Sequence, residues 1–152
     1  MISQSKKSDD KISRRFLMFG IDYKVIVSDI NYGGHMGNER ALIIFQQCRM
    51  DWLNSLGFDE INIGENKGII QLESHVYYLK EVKLGENLRC FVKNIDFSKT
   101  TFGTFYEVLN ENDEIVLKGS TKHMAFDYER KRPSRLPKEF LEKLENINTE
   151  EN

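Results

Sequence analysis

The chain has 152 residues, 39% hydrophobic and 30% charged, with a formal net charge of -2. That length supports one domain with a real core, and that charge gives no global case for binding nucleic acid or an anionic membrane. Cys48 and Cys90 form neither a CxxC nor a disulfide framework, which points to a reducing compartment, and no apolar run approaches the roughly 20 residues of a membrane span.

Residues 1–18 read as a flexible tail, polar and charged over residues 1–15. Basic pairs at Lys6-Lys7 and Arg14-Arg15 precede Phe16-Leu17-Met18-Phe19, as in a signal peptide. The apolar stretch is too short and no small-residue cleavage site follows, so a cytoplasmic protein is expected. Ile21, Tyr23, Val25 and Val27 alternate, predicting a half-buried strand over 21–27. Ser28 to Glu39 then packs two carboxylates, an imidazole, two carboxamides and three glycines into one stretch. Ala41, Ile44, Phe45, Cys48, Trp52 and Leu56 follow helical spacing, with Leu42, Ile43 and Leu53 widening the stripe. So broad an apolar surface predicts a helix over Arg40 to Leu56 wrapped by the rest of the fold. Asn38 suits its N-cap, Glu39 its first turn and Gly57 its C′ position.

Beyond residue 66 the character is β. Runs at about 68–80, 87–97, 102–109 and 114–127 are rich in Ile, Val, Tyr, Phe and Thr. Turns are expected at Lys83-Leu84-Gly85-Glu86 and Asn110-Glu111-Asn112-Asp113. A short amphipathic helix with Phe140, Leu141, Leu144 and Ile147 closes the chain. The order is strand, long helix, then four antiparallel runs, which predicts an α+β fold with one sheet curled around one helix.

A strand that ends in a Gly-rich polar turn at a helix start is a place where chemistry can be built. The first N–H groups of a helix have no intrahelical acceptor and can hold a carbonyl or oxyanion. The segment Asp29-Ile30-Asn31-Tyr32-Gly33-Gly34-His35-Met36-Gly37-Asn38, followed by Phe45-Gln46-Gln47-Cys48-Arg49, resembles the hotdog-fold thioesterases. The likeness is to the 4-hydroxybenzoyl-CoA and acyl-CoA thioesterase group, whose helix start reads D-x-D-x-x-G-H-V-N-N and then F-E-x-A-R. Asp29, Gly34, His35, Asn38, Phe45 and Arg49 match. Gly85-Glu86-Asn87-Leu88 resembles the group's G-D-x-L turn, and Phe126-Asp127 with Arg132 and Pro137 its closing strand. Two positions depart: Asn31 stands where the second Asp would, and Gln46 where the Glu would.

The resemblance implies a hotdog domain over 19–140, with residues 141–152 as a helix end and tail. It implies hydrolysis of acyl-CoA or acyl-carrier thioesters, and a homodimer or homotetramer with a sheet continuous across subunits. Such hydrolysis needs a base to activate water, N–H donors for the thioester oxygen and an apolar slot. By analogy the donors are the backbone N–H groups of Gly37, Asn38 and Glu39. Asp29, His35 and Glu39 compete as the base, with Glu39 favoured for its place beside the donors. The alternative roles are a turn hydrogen bond for Asp29, a structural bond for His35, dipole pairing for Glu39 and a cap for Asn38. Asn31 can orient water or a carbonyl but cannot take its proton. Arg130, Lys131, Arg132 and Arg135 could contact the phosphates of CoA, or form a solvated turn. His75 and His123 fall in strand patterns. No spacing suits a metal and no cofactor is expected. Two other functions stay open: a non-catalytic acyl-thioester-binding or regulatory module, and a hotdog dehydratase or hydratase.

Overall fold

A computed structural model describes residues 19–151, so the expected tail over residues 1–18 lies outside the described residues, as does Asn152. The chain runs β1 (Phe19–Lys24), a 3-10 turn (Val27–Asp29), α1 (Arg40–Ser55), β2 (Gly68–Tyr78), β3 (Asn87–Phe97), β4 (Thr101–Leu109), β5 (Ile115–Asp127), β6 (Arg132–Pro133) and α2 (Lys138–Glu151). The six strands form one antiparallel sheet in the order β1-β3-β4-β5-β2, with β6 beside β5. This is the α+β hotdog architecture expected, a curled sheet laid around a long helix.

Strand alternation places α1. Phe102, Thr104, Tyr106 and Val108 of β4 are buried on the face that meets the helix. Phe45 stacks flat on Tyr106, ring centroids 4.5 Å apart. Gly119 lets the helix come this close, since a Cβ there would lie 2.4 Å from the Phe45 ring. Ala41, Ile44, Phe45, Cys48, Arg49, Trp52 and Leu53 are buried. The opposite side is less covered than the apolar stripe suggested: Ile43 and Met50 remain 39% and 40% exposed. A sheet can embrace only one side of a helix, and no other described element covers the rest. Leu56, expected in the core, is half-buried because the helix ends at Ser55 and Gly57 turns the chain at φ +90°.

β1 is shifted toward the N-terminus of its predicted span. Val25 donates to Glu86 O and accepts from Gly85 N–H, and the Ile26 N–H is taken by the Asp29 carboxylate. Those bonds curl residues 27–29 into the 3-10 turn. At the far end of α1, Phe140 and Leu144 of α2 are fully buried, and Phe140 packs within 5.3 Å of Phe58 and 5.1 Å of Phe102. Burying one such ring stabilises the fold by about 1.5–3 kcal/mol. The C-terminal end of α1 is therefore closed by aromatic side chains, while its N-terminal end is left open.

Candidate active site

The approach to α1 is held by backbone bonds before any side chain acts. Asn31 N–H donates to His35 O (3.0 Å), Gly34 N–H to Asn31 O (3.1 Å) and Gly33 N–H to the Asn31 carboxamide oxygen (2.9 Å). Met36 N–H donates to Val82 O at 2.8 Å, and His35 bridges antiparallel to Lys83. The segment is thus fixed to the β2–β3 connection. Gly34, at φ +83°, takes the left-handed turn that a Cβ would strain.

Asp29 is 1% exposed and turned inward. One carboxylate oxygen accepts from the Tyr23 hydroxyl (2.8 Å) and from Arg40 Nε and Nη2 (2.9 and 2.8 Å); the other accepts from Ile26 N–H (2.9 Å). Burial pushes its pKa up, but the Ile26 N–H, the Tyr23 hydroxyl and the Arg40 guanidinium outweigh it and hold the carboxyl below the usual range. A carboxylate so engaged and so buried does not line the cavity beside the helix start. Its backbone oxygen also accepts the Gly37 N–H at 2.9 Å. Gly37, expected as an oxyanion donor, is therefore not free to be one.

Asn38 and Glu39 are different. Arg40 N–H bonds back to Gly37 O, but the Asn38 and Glu39 N–H groups have no acceptor among the described residues. Asn38 is not the cap that its residue type suggested. The N-cap position falls on Glu39 without a side-chain capping bond, and the Asn38 carbonyl accepts the Tyr78 hydroxyl at 2.7 Å. The Glu39 carboxylate folds over the Gly37 backbone: a Cβ on Gly37 would lie 2.5 Å from Glu39 Oε1. Gly37 thus serves by leaving room for a carboxylate.

A cavity of about 400 Å³ opens beside this helix start. Met36, Leu79, Val82 and Leu117 give it apolar walls, and Asn31, His35, Asn38 and Glu81 line its polar side. His35 Nδ1 lies 3.4 Å from Glu81 Oε2. Asn31, His35, Asn38 and Glu39 are brought to one end of α1, with Asp29 beneath them. Sequence patterns gave no sign of Tyr23, Arg40, Tyr78 or Glu81. Tyr23 read as one more inward strand residue, and Tyr78 and Glu81 reach the cluster only through the sheet.

The basic cluster is elsewhere in the chain. Arg130, Lys131, Arg132 and Arg135 are exposed and follow the end of β5, where Arg132 pairs with Asp127. The cavity touches the start of β5 at Leu117. At about 3.3 Å per residue the two lie roughly 33 Å apart along the strand. His75 is exposed on β2 near Glu73, and His123 is buried under the helix.

A family model described as the thioesterase-like superfamily matches residues 25–144. A curated relative, an L-carnitine dehydrogenase/betainyl-CoA thioesterase from Agrobacterium fabrum, is 24% identical over 122 residues. The match covers 80% of this chain and 25% of the relative, so the chain spans about a quarter of that protein's length. Among solved structures, a 1,4-dihydroxy-2-naphthoyl-CoA thioesterase from Synechocystis has a TM-score of 0.76 at 17% identity, covering 86% of this chain and 97% of its own. A Staphylococcus aureus protein solved in complex with CoA has a TM-score of 0.78 at 19% identity, covering 87% and 84%. At these identities the likeness to the solved structures is one of fold.

Proposed function

The chain belongs to the thioesterase-like superfamily, and from that premise we propose that it hydrolyses acyl-CoA or acyl-carrier thioesters with water as nucleophile. One observation carries this reading: the two open N–H donors of Asn38 and Glu39 stand at a helix start beside a cavity with apolar walls. The thioester oxygen accepts from these donors, which bind it more strongly as charge develops. A water O–H gives up its proton to a nearby base while the water oxygen bonds to the carbonyl carbon. The tetrahedral oxyanion then collapses, the C–S bond breaks, and the thiolate takes a proton from the protonated base. Asp29 is already engaged and Asn31 has no proton affinity to offer, which leaves Glu39 and His35 to take the proton. Asp29 acts instead by fixing the Gly37 backbone beside the donors.

The CoA form is favoured by the CoA-bound neighbour and by the CoA substrates named for the relatives. The phosphate role of the basic cluster requires a second copy. The free edge of β2 pairs with no described strand, and residues 71–75 are exposed. Antiparallel pairing of two such edges about their midpoint sets Gly68 of a second copy opposite Tyr78. Gly68 pairs with Phe126, so the second copy's Arg130, Lys131, Arg132 and Arg135 follow close to the cavity. This is the reading we adopt for self-association, as a dimer or a tetramer. A cytoplasmic setting suits the two unbridged cysteines.

A second reading rests on Asn31, the carboxamide standing where the family motif carries an acid. It makes the chain a non-catalytic acyl-thioester-binding module. Mixing purified protein with a panel of acyl-CoAs and following free thiol separates the two. Catalytic thiol release supports the hydrolase, tight binding without release supports the binder, and neither removes both.

A further inference from the structure

Glu81 has no counterpart in any motif read from the sequence, yet it is the acid the fold brings nearest to His35. The His35 side chain is 43% exposed, but its Nδ1 is covered and has no hydrogen-bond partner of good geometry among the described residues. The charged group beside that atom is Glu81 Oε2, at 3.4 Å. The proximity does not depend on one rotamer. Met36 N–H bonds to Val82 O and His35 bridges to Lys83, so the backbones of residues 35–36 and 81–83 run side by side. Both His35 and Glu81 line the cavity that Asn38 borders.

We propose that Glu81 is a positioning residue that holds His35 with Nδ1 protonated, leaving Nε2 as the base that takes the proton from the attacking water. A carboxylate can only accept, so beside it the ring keeps its proton on Nδ1. The lone pair is then on Nε2. When Nε2 is protonated, the carboxylate stabilises the imidazolium until the proton passes to the leaving thiolate. A contact of 3.4 Å is long, as such contacts often are without substrate, and it closes as the site fills. The other ionisable groups around the ring are Lys83 across the bridge, Tyr78 and Lys80 at the end of β2, and Glu39 at the helix start. Lys80 is itself paired with Glu114. This inference rests on the hydrolase reading and adds to it the identity of the base and of the group that orients it.

The test has two arms. In the first, ¹⁵N-detected NMR of the imidazoles, with His35 assigned by its loss in His35→Gln, reads the tautomer at neutral pH. Wild type should show Nδ1–H at His35, and Glu81→Ala should move the population toward Nε2–H. In the second, kcat and KM are measured at neutral pH. Glu81→Ala should lower kcat about tenfold with KM little changed. Glu81→Gln, whose amide oxygen still accepts from Nδ1–H, should recover part of kcat. Glu81 is 69% exposed, so none of these changes should unfold the protein. An unchanged tautomer and an unchanged kcat in Glu81→Ala would overturn the proposal while leaving hydrolysis intact. A wild type that turns over no acyl-CoA would remove the hydrolase reading and the base role with it, and the NMR arm would still judge the pair.

Discussion

Two polar clusters sit on the same helix, and they have opposite character. At the middle of α1, Arg49 is 4% exposed; its Nε donates to Glu60 (2.7 Å) and its Nη1 to Tyr106 and Thr121 (3.2 and 3.3 Å). Thr104, Tyr106 and Thr121 bond to one another, and His123 Nε2 bonds to Thr121 at 2.9 Å. At the start of α1, by contrast, two N–H donors stand beside a cavity lined by an imidazole and a carboxylate. The first cluster has more buried polar atoms and less to offer a substrate. Apart from His123 Nδ1, its groups are engaged with one another and largely shielded from water, and they fix the helix on the sheet. Capacity for chemistry follows the groups left open rather than the density of polar residues.

Substitutions should therefore separate the clusters cleanly. The largest effect is expected at Arg49. Arg49→Ala removes the buried partner of an ion pair whose Glu60 is partly exposed, and should cost about 3 kcal/mol of unfolding free energy, read by urea titration. Turnover per folded molecule should stay near wild type; a specific loss of kcat at full stability would erase the distinction drawn here. The mirror experiment is at the helix start. Loss of the true base, by Glu39→Gln or His35→Gln, should cut kcat about a hundredfold or more, equivalent to about 2.7 kcal/mol in the barrier, with unfolding unchanged. The base assigned above predicts the larger loss at His35. Full turnover in both variants would remove the site.

The clusters should also differ in pH response. Burial first, and then the charge of Arg49, push the pKa of His123 from 6.5 down to about 3. The folded value lies below the unfolded one, so this contribution to stability is complete above about pH 6.5. It is lost as pH falls toward 3, by about 1.4 kcal/mol per pH unit. His123→Phe should flatten that slope in denaturant titrations taken across the window; an unchanged slope would show that other groups set it. Asp29 responds lower on the scale. Its pKa is depressed below 3.8, so its contribution is present above that value and fades as pH falls through the folded value. The smallest effect is expected at the basic segment. Arg130→Glu with Arg132→Glu should raise KM for acyl-CoA about fivefold, about 1 kcal/mol, and leave short pantetheine thioesters unaffected. An equal change for both substrates would place the cluster away from the nucleotide.

The fold was legible because its signals are local and repeated. Runs rich in Ile, Val, Tyr, Phe and Thr marked β2 to β5 nearly to the residue, Gly85 and Asp113 take the positive φ that their turns require, and the spacing from Ala41 to Trp52 named the buried face of α1. The boundary of β1 was less so, because the Asp29 side chain captures the Ile26 N–H, and a propensity pattern does not contain that bond.

The candidate site divides along the same line. By itself the sequence determined its place, at the Gly-rich turn before α1, and most of its residue types, since these are neighbours along the chain. Tertiary structure decided what each can do. It turned Asp29 inward onto Tyr23 and Arg40, engaged Gly37 N–H, left Asn38 and Glu39 N–H open, and carried Tyr78 and Glu81 to the helix start from the other side of the sheet. It also set the basic cluster at the opposite end of β5. A residue's identity fixes which bonds it can make. Only the packed fold fixes which of them are already made, and reactivity depends on those that are not.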